Sequence, residues 1–222
     1  MKVIELHESV TASNDHDADA LRMQMKMDGT LLINLMSSPG SGKTTLLKAT
    51  VSLMPDVHIA VMEADIASDV DAVTMEKNGA QSIQVHTDGM CHMDAGMTAE
   101  GLKHMDLRNT DLVFLENVGN LICPAEFDTG AGKNVMILSV PEGDDKPLKY
   151  PLMFSKADAL VISKIDTKSY FDFSLEKCVE RVKRLNPEIE IFPLSAKTGE
   201  GMSAWCQWLH AQIIAWQKGE QR

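Results

Sequence analysis

The octet Ser37-Ser38-Pro39-Gly40-Ser41-Gly42-Lys43-Thr44 has the residue types and spacing needed to hold a nucleoside triphosphate. A chain that wraps phosphates must turn tightly and aim several backbone N–H groups inward. Gly40 and Gly42 permit the positive φ values and the close approach that this demands. Lys43 can reach the β- and γ-phosphates, and the Thr44 hydroxyl can bind Mg²⁺. A helix starting near Lys43 adds its partial positive N-terminus, so Gly40, Ser41, Gly42, Lys43, Thr44 and Thr45 are the expected phosphate ligands. Ser37 stands where the pattern has glycine, and it can turn the chain out of a strand as long as its φ stays negative.

Two further loops could read the base. In Ser163-Lys164-Ile165-Asp166, the Asp166 carboxylate can accept from the N1–H and 2-amino group of guanine, which adenine cannot supply. The stem of Lys164 can pack on the ring. Ser163 replaces the Asn common at this place in GTPases, which removes one tether. Ser195-Ala196-Lys197 follows the next strand-length run and would bring the Ala196 N–H to the guanine O6. Either loop alone could be chance; both in the right order point to GTP.

Carboxylates for the metal and the attacking water come next. Glu63, Asp65, Asp69 and Asp71 lie at and beyond the C-terminal end of the second apolar run, the edge of an open sheet where ligands sit. One aspartate here is expected to hold the Mg²⁺ shell or to position the water, while any single one could equally be a solvated loop carboxylate. Glu116-Asn117-Val118-Gly119 follows another strand-length run; Glu116 suits a metal-shell role, and the Gly119 N–H could sense the γ-phosphate.

Cys91-His92 opens a helix-like stretch, and Cys123 follows 32 residues after Cys91. Thiolate and imidazole suit Zn²⁺ or Ni²⁺. Spacing alone favours the plainer reading, in which the cysteines are small buried hydrophobes and His92 a polar residue at a helix start. As ligands, the three would leave a four-coordinate ion one short, a place for water or for a residue across a twofold axis. Cys178 and Cys206 fall within helix-like stretches without a neighbouring His and read as packing residues.

The elements that must position these residues are legible. Apolar runs of strand length occur at 31–36, 58–62, 82–85, 111–115, 134–140, 159–163 and 189–193. Helical spacing appears at 44–54, 69–78, 94–105, 172–185 and 202–216. The alternation predicts an α/β fold, a mostly parallel sheet with helices on both faces. Residues 15–27 predict a short helix with Ala18, Leu21 and Met25 on one side, within an N-terminal arm (1–29) that covers nucleotide or contacts a second copy; residues 30–222 form one domain. The net charge of −11 argues against non-specific nucleic-acid or anionic-membrane binding. No run of about 18 apolar residues and no apolar signal core is present, which makes the cytoplasm the expected location.

The motifs together resemble the nickel-inserting GTPases of hydrogenase maturation, the HypB family, in the SIMIBI class of P-loop proteins. The resemblance covers residues 30–217. It rests on the phosphate loop through Thr45, Cys91-His92-Met93-Asp94-Ala95, Glu116-Asn117-Val118-Gly119-Asn120-Leu121-Ile122-Cys123-Pro124, Ser163-Lys164-Ile165-Asp166 and Ser195-Ala196-Lys197-Thr198-Gly199. It implies a slow, Mg²⁺-dependent GTPase that forms a GTP-promoted homodimer with a shared Ni²⁺ or Zn²⁺ site at Cys91, His92 and Cys123. It also implies nickel transfer toward the [NiFe]-hydrogenase large subunit with a HypA-type accessory protein. By the same match Asp65 (Mg²⁺) and Asp71 (catalysis) fall in the first switch, and Glu116 with Gly119 in the second; Lys43 completes the catalytic set. Some family members store nickel on N-terminal Cys or His tracts; residues 1–29 here hold only His7 and His16. Three other readings compete. A urease-type GTPase has a Pro between the Cys and His, a metal-binding dimer could use nucleotide as a structural ligand, and a small-molecule kinase would not need the guanine loops.

Overall fold

Successive residues of a strand face opposite sides of a sheet, so a strand apolar throughout must be covered twice. The run at the phosphate loop does this. Leu31, Ile33 and Leu35 enter one core with Leu46, Leu47, Trp205 and Leu209, whereas Leu32 and Met36 enter two clusters on the other face. The computed structural model describes residues 7–64 and 80–219. Its strands are β1 (Leu31–Ser37), β2 (Ile59–Glu63), β3 (Gln81–Gln84), β4 (Leu112–Glu116), β5 (Lys133–Ser139), β6 (Ala159–Ser163) and β7 (Glu190–Pro193). They form one sheet in the order β3-β2-β4-β1-β5-β6-β7, and every adjacent pair is parallel.

Parallel register gathers all C-terminal strand ends on one edge. Glu63 lies beside Glu116, Ser37 beside Ile137, and Ser139 beside Ser163. The loops leaving that edge hold the motifs. The helices are α1 (His7–Asp28), α2 (Lys43–Leu53), α3 (Ala95–Leu102), α4 (Cys123–Glu126), α5 (Lys146–Lys149), α6 (Pro151–Lys156), α7 (Leu175–Leu185) and α8 (Met202–Gln217). α2 and α8 cover the first face, where the Trp205 indole donates to the buried Thr50 hydroxyl at 3.0 Å.

The predicted helix at 69–78 lies outside the described residues, as do Asp65, Asp69 and Asp71. The N-terminal helix is longer than its apolar spacing suggests. Ala18 and Met25 are buried, and Leu21 packs with Met25 on the cluster formed by β1, β2 and β4. Gly130 and Gly132 make room beside it: a Cβ on Gly130 would sit 2.7 Å from Leu21, and one on Gly132 2.6 Å from the Trp216 ring.

Candidate nucleotide and metal sites

The phosphate loop leaves β1 without strain at its unusual first residue. Among the described non-glycine residues, positive φ occurs at Asp88 and Lys164, not at Ser37, which ends the strand in extended form. Its hydroxyl accepts from the Lys43 Nζ at 2.9 Å, parking the lysine across the loop mouth. Gly40 (φ +72°) and Gly42 (φ +100°) supply the left-handed turns, and Gly42 is the N-cap of α2. The Thr44 hydroxyl faces the Glu116 Oε1 at 3.5 Å, which joins the Mg²⁺ candidate of the loop to the carboxylate at the end of β4.

The loop expected to read the base, Ser163–Asp166, braces the phosphate loop. The Ser163 hydroxyl donates to the Ser41 carbonyl at 2.7 Å, so the residue that replaces Asn still provides a tether. Lys164, held at φ +60°, sends its Nζ to the Gly40 carbonyl at 2.6 Å. Asp166 follows, half-exposed, in a 3-10 turn. The second loop hangs on the first through Ile165 N–H to Leu194 O, 3.3 Å. Ser195 is buried and closes its own turn, with its N–H on Glu200 O and its hydroxyl accepting from Thr198 N–H. Ala196 is half-buried and Lys197 exposed at the same edge. A cavity of about 460 Å³ is lined by residues of both loops, including Ile165, Lys168, Pro193 and Gly201.

Gly119 sits directly on the phosphate loop. A Cβ there would be 2.9 Å from the Pro39 backbone nitrogen and 3.1 Å from its Cα, so no side chain fits. Two residues earlier, Asn117 is 1% exposed and fully engaged. Its Nδ2 donates to Asn34 Oδ1 (3.0 Å), and the Asn34 Nδ2 in turn donates to Asn134 Oδ1 (3.0 Å), a line of amides running from the end of β4 across β1 to β5. Its Oδ1 accepts from the Val118 N–H (2.9 Å) and from the Met93 N–H (3.1 Å). Met93 follows the Cys91-His92 pair. Sequence reasoning missed this line, since an Asn inside a strand carries no periodic signal.

Cys91, His92 and Cys123 come together: one ligand atom of each lies within 4.8 Å of the others. The two Sγ atoms are 2.8 Å apart, and the Cys91 Sγ lies 3.7 Å from the His92 Nδ1. Cys91 is exposed and Cys123 half-buried, unlike the buried Cys178 and Cys206. That corrects the packing reading for the first two and supports it for the others, where burial pushes the Cys178 thiol up to about 12. His92 is 5% exposed and stacked on Phe127, ring centroids 3.8 Å apart. Burial lowers its pKa against the pull of Asp94 and Glu126, which keeps the imidazole neutral, the form that binds a metal. The hydrogen bond with Cys91, then burial and the Cys91 charge, raise that of Cys123, so an arriving ion would displace a proton. Two thiols and a neutral imidazole at this spacing fit a borderline-soft divalent ion.

A parallel sheet with a glycine-rich loop between β1 and α2 defines a P-loop nucleotide-binding protein. The nucleotide-binding domain model of CobW/HypB/UreG matches residues 31–193. The Hydrogenase maturation factor HypB of Escherichia coli is 43% identical over 215 residues, covering 96% of this chain and 74% of that protein. The Helicobacter hepaticus Hydrogenase/urease maturation factor HypB is 43% identical over 91% of this chain and 85% of its own length. A crystal structure of HypB from Helicobacter pylori in complex with nickel superposes with TM-score 0.87 at 36% identity, covering 95% of this chain and 98% of that one. The chain belongs to the CobW/HypB/UreG family and, within it, to the HypB hydrogenase maturation factors. A LAO/AO transport system kinase, 15% identical with TM-score 0.51, shares the fold alone. Among the described residues no helix is long and apolar enough to cross a membrane.

Proposed function

We propose that this chain hydrolyses GTP to GDP and phosphate, binds nickel at Cys91, His92 and Cys123, and delivers it for [NiFe]-hydrogenase maturation. The observation that carries the reading is one short stretch with two contacts. Gly119 abuts Pro39 of the phosphate loop, while Asn117 holds the Met93 N–H beside Cys91-His92, and Cys123 follows in the same stretch. A rearrangement of this stretch around the γ-phosphate would move both halves of the metal cluster. The nickel in the Helicobacter pylori HypB structure supports the choice of ion.

In this reading Lys43 leaves Ser37 to meet the β- and γ-phosphates, and Thr44 with Asp65 would hold Mg²⁺. Asp71, Glu116 and Gly119 orient the attacking water and read the γ-phosphate. Phosphoryl transfer needs mainly such positioning and charge, so a slow turnover suits a switch. Asp166 and Ala196 select guanine. Residues 30–222 are assigned to the GTPase domain and 1–29 to an N-terminal arm, whose described helix α1 packs on that domain. Three ligands leave a place that a second copy fills across a twofold axis when GTP is bound. Zn²⁺ accepts the same donors. A HypA-type protein and the hydrogenase large subunit are the partners, in the cytoplasm, with neither nucleic acid nor membrane involved.

A triple Cys91→Ala, His92→Ala, Cys123→Ala variant tests it: nickel stoichiometry should fall while phosphate release from GTP persists. Unchanged stoichiometry refutes the metal half, and GTP binding without turnover refutes the hydrolase half.

A further inference from the structure

The two loops that carry the metal cluster are joined in an unusual way. Among the described residues no backbone–backbone hydrogen bond links 86–95 to 117–128. Asparagine side chains do so instead. Asn117 accepts from Met93 N–H, and Asn120 donates to the Cys91 carbonyl at 3.5 Å. The third link comes from outside both loops, from Asn14 of the N-terminal helix. Its Oδ1 accepts from the Ala95 N–H at 3.0 Å, and its Nδ2 donates to the Asp128 carbonyl at 2.9 Å. One amide thus spends its acceptor on the loop of Cys91-His92 and its donor on the loop of Cys123.

The same helix grips Asp128 a second time. The Arg22 Nη2 donates to both Asp128 carboxylate oxygens at 2.8 and 2.7 Å, and the Nε donates to the Ala131 carbonyl at 3.0 Å. Two donors of one rigid, planar guanidinium thus grip Asp128 and Ala131 together, which fixes orientation as well as distance. Asp128 is the neighbour of Phe127, whose ring lies 3.8 Å from and 13° off parallel to the His92 imidazole. Holding Asp128 therefore sets Phe127, and Phe127 sets the face of His92. From the other side, Ala95 begins α3, whose N-cap Asp94 accepts from Met97 N–H.

We propose that α1 is a clamp for the metal centre, and that Asn14 and Arg22 are its positioning residues. They touch no ligand atom, but they fix the separation and ring orientation of the two ligand-bearing loops. The arm sets metal affinity rather than covering the nucleotide, so whatever displaces α1 loosens the ion. The inference rests on the metal reading of Cys91, His92 and Cys123.

The test uses the full chain with Ni²⁺ alone as probe. Asn14→Ala, Asn14→Asp and Arg22→Ala are titrated by the thiolate-to-nickel charge-transfer band and by competition with a chelator. Apo melting temperature and GTP turnover are measured alongside. Partners that orient metal ligands are each worth about 10–100-fold in affinity, so Asn14→Ala should weaken Ni²⁺ by at least about tenfold and alter the band. Asn14→Asp keeps the acceptor for Ala95 and loses the donor to Asp128, and should weaken Ni²⁺ too. GTP turnover should remain at wild-type level in both. Wild-type nickel affinity and band in both Asn14 variants would overturn the clamp. So would a loss of nickel affinity matched by an equal loss of GTP turnover, which would make Asn14 merely structural. Retained nickel binding in the Cys91, His92, Cys123 triple variant overturns the metal reading itself, a separate outcome.

Discussion

Asn117→Ala should uncouple the nucleotide from the metal. The substitution removes the partner of the Met93 N–H, of the Val118 N–H and of Asn34 Oδ1. Met93 is fully buried and Asn34 is 1% exposed, so neither gains water in exchange. A buried polar group left unpaired costs about 1–3 kcal/mol, which puts the loss at about 3 kcal/mol once partial relaxation is allowed. For a chain of this size about 1 kcal/mol shifts the melting temperature by about 2–4 °C, so a fall of about 6–12 °C is expected. That fall is only the structural part. Allosteric coupling of about 1–3 kcal/mol would make wild-type nickel affinity differ about 5–150-fold between GDP and GTP-analogue states. In the variant, measured well below its melting temperature, that ratio should collapse to within about twofold. A destabilised variant that keeps the wild-type ratio refutes the role of Asn117 as the link.

Other substitutions probe the remaining parts. Gly119→Ala forces a Cβ to within 2.9 Å of the Pro39 nitrogen, so GTP turnover should drop about 100-fold by phosphate release while nickel stoichiometry stays. Asp166→Ala would remove the two charge-assisted hydrogen bonds proposed for guanine, about 1.5–3 kcal/mol each; GTP affinity should fall at least about 100-fold with ATP affinity unchanged in a competition assay. Asp144 accepts from Ser174 N–H and pairs with Arg181; first the Ser174 hydrogen bond and then Arg181 hold its carboxyl below the ordinary value. A depressed carboxylate stabilises the fold above its unfolded pKa and loses that contribution as pH falls through its folded one. Asp144→Asn should therefore melt lower than wild type at pH 7, with the gap closing below about pH 4 in a pH series of thermal melts.

The sheet was legible because its central strands are covered on both faces and so read as largely apolar runs, as in Leu31–Met36, where Asn34 is the one polar residue; the edge strands β3 and β7 are only partly covered and read more weakly. The nucleotide loops were legible because phosphate and guanine demand fixed residue types at fixed spacing. The short α4, α5 and α6 were not, since a four- to six-residue helix is too brief to show a period. The docking of the arm was hidden for another reason. Arg22 and Asp128 lie 106 residues apart, and a polar contact at that distance leaves no pattern in either segment. Ser37 and Ser163 look like defects in their motifs; in the fold the first receives Lys43 and the second ties down Ser41. Cys91 and Cys123 were ambiguous on spacing, and only their exposure and shared location separate them from Cys178 and Cys206.

In the proposed function the bound nucleotide sets the state of the metal site. Its most direct test is a nickel titration of the full chain in nucleotide-free, GDP and GTP-analogue forms, with molecular mass measured in parallel. Nickel affinity should differ between the GDP and GTP-analogue forms by at least about fivefold, with a shift to dimer mass in the presence of the analogue. Identical nickel affinity and identical mass in all three forms would contradict it.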